Sequence, residues 1–188
     1  MFLKCFIIFL LSISIYPKQF VIDKTHSYVG FKVKYMMVSN VRGNFLDFSG
    51  TIDMDKSVIS SIKSTIVVDT ISTNNKKRDA HLRSDDFFNV ELYPNIMFKS
   101  KKVIQDEDVQ MVIGDLTMHG ITKQVSIPFT QTDIYTNPDG IQRFGIEASL
   151  KINRKDYGIL YSKTMDNGGL VVDDYVTIIL NVQYISNG

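Results

Sequence analysis

Alternation of apolar and polar residues with a period of two runs through the chain from Phe20 onward, and it constrains the fold more than any other feature. In residues 144–152 and 176–184 an apolar side chain stands at every second position. Such spacing is typical of strands that bury one face. Turn sequences such as residues 137–140 (NPDG) separate the alternating segments. Evenly spaced strands without helices between them predict an all-β antiparallel barrel or sandwich.

One highly charged segment interrupts this alternation and predicts a single short helix. Asn74 or Asn75 is a suitable N-cap, and residues 76–83 would form the body of the helix. Ala80 and the following pair Phe87-Phe88 are the expected contacts with the core. No repeat and no internal linker interrupts the rest of the chain, so one domain is predicted.

The first residues are predicted to be a signal peptide rather than part of the fold. Lys4 precedes an apolar and hydroxyl run, residues 5–15, that is too short to cross a hydrocarbon core of roughly 30 Å. We expect residues 1–14 to be removed by cleavage after Ser14, or at a site up to about residue 19. An uncleaved anchor and a buried first strand are the alternatives. The mature domain, residues 20–188, would contain no cysteine and would be periplasmic or secreted.

Composition and motifs argue against several classes of function. Lys plus Arg number 21 and Asp plus Glu number 20, so binding to the phosphates of nucleic acid is not expected. A single cysteine argues against disulfide scaffolds, cysteine-rich zinc modules and iron–sulfur clusters. His26, His81 and His119 lack the short spacing of a local metal site. No nucleophile, phosphate-loop or zinc-protease motif occurs, so we predict no catalytic residue, no metal and no cofactor.

Large apolar side chains are abundant, with 12 Phe and 8 Met in the chain. They would either fill a compact core or line a cavity for a ligand. The interior of an eight-stranded barrel is just wide enough for either arrangement. Flexible Met and Phe side chains favour a wall that adapts to a flexible ligand.

Several segments, taken in order, resemble the YceI-like family of secreted bacterial proteins, which are regarded as binders of polyisoprenoids and related lipids. The two most specific segments are residues 78–88 (RDAHLRSDDFF) and 114–123 (GDLTMHGITK). The other matching segments are residues 20–27 (FVIDKTHS), 41–45 (VRGNF), 69–73 (DTIST), 93–100 (YPNIMFKS), 156–158 (DYG) and 172–176 (VDDYV). The resemblance covers the chain from about Phe20 to Ile185. Phe20 stands where the family usually has Trp or Tyr.

The resemblance implies an elongated eight-stranded antiparallel barrel, similar in shape to a lipocalin, with one helix near an end and a long apolar channel. Together with the alternation, it predicts which side chains face that channel. The predicted channel residues are Val29, Phe31, Val33, Phe48, Ile66, Val68, Phe98, Met111, Ile113, Ile127, Phe129, Phe144, Ile146, Leu150, Ile178 and Leu180. Arg78 and Arg83, on the helix, are predicted to meet a polar head group at the channel mouth.

The function implied is binding of a long-chain amphiphilic lipid, either a polyisoprenoid or a fatty-acid derivative, for sequestration or transport. Two alternatives stay open on sequence alone. One is a ligand-free secreted barrel that acts in a stress response or binds a protein partner, and the other is an enzyme that modifies a bound isoprenoid. A homodimer and transient contact with a membrane are also left open.

Overall fold

The computed structural model describes residues 17–106, 108–164 and 169–186. This part of the chain forms eleven strands, one α-helix and two 3₁₀ turns. The strands are β1 (Lys18–Tyr35), β2 (Ser39–Phe45), β3 (Phe48–Asp55), β4 (Val58–Val67), β5 (Ile71–Ser72), β6 (Asn95–Gln105), β7 (Gln110–Met118), β8 (Ile121–Gln131), β9 (Tyr135–Thr136), β10 (Gln142–Asn153) and β11 (Val172–Ser186). The helix is α1 (Lys76–Arg83), and the 3₁₀ turns are Val68–Thr70 and Arg154–Tyr157.

The predicted signal peptide, residues 1–14, lies outside the described residues. β1 begins at Lys18, which pairs with Met54 of β3. Cleavage beyond residue 17 would therefore remove paired residues from the barrel wall. The cleavage site itself stays a prediction.

Eight strands close into an antiparallel barrel in the order β1, β3, β4, β6, β7, β8, β10 and β11, and β11 returns to pair with β1. The ring closes where Phe20 of the first strand lies opposite Ser186 of the last. This arrangement confirms the predicted all-β barrel with one short helix. Closure also removes the open edges that a flat sheet would expose.

β1 serves two parts of the sheet because it contains a large bulge. Its first residues pair with β3, whereas residues 30–35 pair with β2 in a hairpin. Between Asp23 and Tyr28 the register against β11 shifts. The Ser27 hydroxyl occupies this bulge, where it donates to the Asp23 carbonyl and accepts from the Gln183 backbone N–H at 2.9 Å. The bulge thus changes the direction of β1, so that its second half lies beside β2.

α1 begins as the sequence predicts but buries a different face. The Asn75 side chain accepts a hydrogen bond from the Arg78 backbone N–H at 3.0 Å, so Asn75 is the N-cap. Ala80 is exposed, and the prediction that it contacts the core is wrong. Asp79 is buried instead, because its carboxylate accepts from the Thr73 backbone N–H at 2.8 Å. Polar anchoring to the preceding loop, rather than an apolar contact, orients the helix.

The two ends of the barrel are closed in different ways. At one end, which we call the covered end, two long connections close the barrel, residues 68–94 and the described part of the connection between β10 and β11, residues 154–164 and 169–171. At the opposite end, apolar side chains pack without space between them, and we call this layer the floor. The floor consists of Phe20, Ile52, Met54, Ile59 and Phe144, none of which is more than 3% exposed. Within it, the rings of Phe20 and Phe144 meet edge to face with centroids 5.0 Å apart.

Candidate functional site

Between the floor and the covered end lies a cavity of about 200 Å³. All eight barrel strands contribute to its wall, and nearly every lining side chain is apolar. Leu82, Phe87 and Phe88 close it from the connection 68–94, and Ile159 closes it from the connection between β10 and β11. A cavity with so few polar groups does not bind ordered water well, so it is suited to a hydrocarbon ligand.

The exposure pattern of the wall reflects this space. Phe31, Ile178 and Leu180 face the cavity and pack against the core, yet all three are only partly buried. Side chains in a close-packed barrel would be buried completely at these central positions. A ligand in the cavity would lie against these three side chains.

The predicted channel residues fall into two groups. Those that line the cavity are Val29, Phe31, Val33, Phe48, Ile66, Phe98, Ile127, Phe129, Ile146, Leu150, Ile178 and Leu180. The remaining four, Val68, Met111, Ile113 and Phe144, are not part of the wall. Contact between any of these side chains and a ligand stays a prediction.

The four corrections have separate physical reasons. Met111 and Ile113 belong to the outer face of β7. The inner face of this strand carries Val112 and Leu116, which are buried. Phe144 points inward but packs in the floor, below the cavity. Val68 is 1% exposed and lies in the 3₁₀ turn that follows β4, where its N–H donates to the Pro94 carbonyl at 2.9 Å.

Neither predicted head-group arginine lines the cavity. The Arg78 guanidinium donates to the Thr73 hydroxyl at 2.7 Å and to the Thr73 carbonyl at 2.9 Å. Arg83 lies 3.6 Å from the Asp69 carboxylate. Both arginines hold the connection 68–94 in place, because their donors are directed at its own residues. The structure therefore does not place them on the cavity wall, and their contact with a head group stays a prediction.

A different arginine reaches the cavity. Arg154 is 4% exposed, and among the described residues it is the one charged side chain that lines the cavity. Its guanidinium donates to the Ile159 carbonyl at 2.8 Å, to the Asp173 carbonyl at 3.1 Å and to the Asp174 carboxylate at 3.2 Å. Burial lowers the pKa of Arg154, and the neighbouring Asp174 and Asp173 oppose that effect. Of the five N–H groups of a guanidinium, three are engaged by acceptors among the described residues.

The sequence contains a signal that would have identified Arg154. It follows Leu150 and Ile152 at the same two-residue spacing, so it continues the inward face of β10 at the end of the strand. A cation at an inward position is unusual unless it is paired.

Tyr184 marks the other end of the cavity. It is 5% exposed, lines the wall next to the floor, and stacks on Phe144 with ring centroids 5.4 Å apart. Burial raises the pKa of its phenol. Its hydroxyl is a polar group at the deep end of a mostly apolar wall, whereas Arg154 provides N–H donors at the covered end.

Aromatic contacts hold the two connections together over the covered end. Tyr161 lies between His81 and Phe87, with ring centroids at 5.0 and 4.7 Å. The rings of His119 and Tyr93 meet at a tilt of 58° with centroids 4.4 Å apart, and His119 Nδ1 lies 3.2 Å from the Tyr157 carbonyl. These histidines serve as structural contacts. Across residues 17–106, 108–164 and 169–186, no group of three or more His, Cys, Asp or Glu side chains could hold a metal ion.

Among the described residues, no helix is long and apolar enough to cross a membrane.

Comparison with known proteins agrees with this architecture. The family described as the YceI-like domain matches residues 20–184. A UPF0312 protein of Staphylococcus aureus is 35% identical over 157 residues, which cover 82% of this chain and 90% of the relative.

Solved structures give the same result. A Campylobacter jejuni YCEI protein is 31% identical and matches 88% of this chain and 96% of its own, with a TM-score of 0.72. A polyisoprenoid binding domain from Saccharophagus degradans, implicated in plant cell wall breakdown, is 15% identical. It matches 91% of this chain and 99% of its own with a TM-score of 0.69, and at that identity the likeness shows the fold alone.

Proposed function

This chain belongs to the YceI-like family, and on that premise we propose that it binds a long-chain amphiphilic lipid in its cavity and sequesters or transports it. The observation that carries the proposal is the cavity itself, which is walled by apolar side chains from all eight barrel strands. A barrel that serves only as a scaffold gains stability by filling such a space. An apolar space that is left open favours the binding function over the ligand-free alternative.

The size of the cavity indicates the shape of the ligand. At about 200 Å³ it is smaller than the 300–1,000 Å³ typical of ligand pockets. A slender chain therefore fits better than a fused ring system. A polyisoprenoid or a long fatty chain would require wall side chains such as Phe31, Phe98 and Phe129 to rotate as it enters. Each methylene buried would contribute about 0.8 kcal/mol, so affinity should rise with chain length until the space is full.

The two polar positions indicate the orientation. We place the head group at the covered end, beside Arg154, because its guanidinium lines the wall there and three of its five N–H groups meet acceptors among the described residues. Asp174 already balances the charge of Arg154 at 3.2 Å. A neutral head group with a carbonyl or hydroxyl oxygen would therefore be accepted as well as an anion. The tail would extend toward Tyr184 and the floor.

We propose a binding role without a chemical step. The polar side chains on the described wall are Ser49, Ser64, Arg154 and Tyr184, which include neither a carboxylate nor an imidazole to act as a base. Following the predicted signal peptide, the proposed site of action is the periplasm or the outside of the cell.

Native mass spectrometry of the protein purified from its own host, followed by organic extraction, tests the proposal. A lipid of long chain length bound in a one-to-one ratio is the expected result. Phe129→Arg should abolish retention because it places a charge on the apolar wall, whereas Thr130→Arg, on the exposed face of the same strand, should not. Protein that is empty and also takes up neither an added polyprenol nor a fatty amide would refute lipid binding.

A further inference from the structure

The tip of the β1–β2 hairpin exposes three apolar side chains to solvent. Met36 is 40% exposed, Met37 is 66% exposed and Val38 is 86% exposed. They lie together in the turn between β1 and β2, where the Met36 N–H donates to the Val171 carbonyl at 2.8 Å, and single exposed apolar residues elsewhere on a surface do not have this arrangement. We call residues 36–38 the hairpin tip.

The backbone of the hairpin tip is also unfavourable for its residues. The Val38 N–H donates to the Tyr35 carbonyl at 3.1 Å and closes a tight turn. The two central residues, Met36 and Met37, both have positive φ, at 48° and 60°. A turn with positive φ at both central positions is normally occupied by Asn-Gly, because long side chains are strained there. Asn-Gly would stabilise this turn more than Met36 and Met37 do, so the stability of the turn does not explain the two methionines.

Cations stand directly behind the hairpin tip. Lys32, Lys34 and Arg42 are exposed on the outer face of the hairpin, and Lys32 lies opposite Arg42. Like charges placed opposite each other destabilise a strand pair. None of the three forms an ion pair with another described residue. Residues 24–46 contain no Asp or Glu, so the hairpin carries positive charge alone.

The neighbouring strand does not neutralise this charge. Lys32 faces Thr177 on β11. Asp174, further along β11, is paired with Arg154 and Lys155. Asp173 accepts a hydrogen bond from the Tyr175 backbone N–H. The charge on the hairpin is therefore available to a partner of opposite sign.

We propose that the hairpin tip inserts into the surface of an anionic lipid bilayer, with the cations behind it contacting lipid phosphates. Strand residues advance about 3.3 Å each, so Lys34, two positions before Met36, lies within roughly 7 Å of the hairpin tip. Interfacial segments bury their apolar side about 5–10 Å into the headgroup boundary, which sets Lys34 at the level of the phosphates. Lys32 and Arg42 lie further back, where they attract the surface over about a Debye length.

The docking would present the covered end of the barrel to the membrane. Val33, three positions before Met36, lines the cavity. Leu46, Leu92 and Leu160, on other connections at this end, are 64–68% exposed. The surface does not depend on what the cavity holds, so membrane binding would stand even if the proposed lipid ligand were absent.

Flotation with large unilamellar vesicles tests the proposal. The protein is purified from its host in its natural form and mixed with phosphatidylcholine vesicles, with or without 25% phosphatidylglycerol. We expect binding to the anionic vesicles that weakens as salt rises. The double variant Met36→Asn, Met37→Gly should bind at least about tenfold more weakly because it removes the inserted side chains. Since Asn-Gly suits the turn, its urea midpoint should be equal to or above that of the parent.

A matched pair of triple variants separates the hairpin from net charge. Replacing Lys32, Lys34 and Arg42 by Gln should weaken binding at least about tenfold. The control replaces Lys99, Lys101 and Lys102 by Gln, which removes the same charge from the exposed face of β6 and should leave binding near the parent value. Native mass spectrometry without vesicles reads the cavity ligand separately in each variant. Parent-level binding by the turn variant, equal loss in both triple variants, or no preference for anionic vesicles would each overturn the proposal.

Discussion

Filling the cavity should stabilise the empty protein while removing its ligand. Ala148 lines the wall at mid-height, where it pairs with Phe129 and Leu180. Ala148→Leu adds three carbon atoms inside the barrel. At about 0.8 kcal/mol per buried methylene, the gain in unfolding free energy should be about 2 kcal/mol. The whole cavity of about 200 Å³ sets a ceiling of roughly 5 kcal/mol, at about 24 cal/mol per Å³ of cavity.

The assay is urea unfolding of delipidated protein, paired with lipid extraction of the same variant from the host. Glu147→Leu is the control, because it adds leucine to the exposed face of the same strand without entering the cavity. We expect Ala148→Leu alone to raise the urea midpoint and to reduce the bound lipid. A variant that is destabilised by more than about 1 kcal/mol and still retains lipid would show that this wall position has no free space beside it.

Three other predictions concern single side chains. Arg154→Met should lower the unfolding free energy by about 3 kcal/mol in urea titration, because two buried carbonyls lose their donor while Asp174 keeps Lys155 at 2.8 Å. A change below 1 kcal/mol would contradict the role given to its hydrogen bonds. Asn75→Ala should cost about 1 kcal/mol through loss of the N-cap, and Asn75→Asp should restore it. Burial raises the pKa of Tyr184, so its phenol ionises just above pH 10 only in the unfolded chain, and its contribution to the unfolding free energy should be constant below about pH 10 and fall above it. Tyr184→Phe should flatten the decline in urea midpoint between pH 9 and 11, and an unchanged slope would refute this source.

Sequence periodicity predicted the barrel but not every face of its strands. In β10 the two faces differ sharply, and Ile146 and Leu150, predicted from the alternation together with the family resemblance, line the cavity. In β7 both faces begin with apolar residues, so Met111 and Ile113 were assigned to the wrong side. The second half of β7 distinguishes the two faces, because Asp115 lies on the same face as Ile113 and a carboxylate belongs on the outside of the barrel.

The polar part of the site was beyond local reasoning. Arg78 and Arg83 were predicted to bind a head group because they are cations on the only predicted helix. In the structure, Arg78 donates to Thr73 and Arg83 lies beside Asp69, both in the segment that precedes the helix. Arg154 meets its acceptor on β11 about twenty residues later, and a contact of that kind depends on how the connection folds back. Periodicity reports which face a residue occupies, whereas the partner across the barrel is set by tertiary packing.

The pairing of the first strand with the last has a consequence for the time at which this barrel forms. Phe20 lies opposite Ser186, so the ring closes only when the last strand of the barrel reaches the first. Contacts between residues so distant in sequence make folding slow, on the order of milliseconds to seconds for comparable β topologies. Until β11 pairs with β1, each of these strands presents an unpaired edge that can pair with another chain.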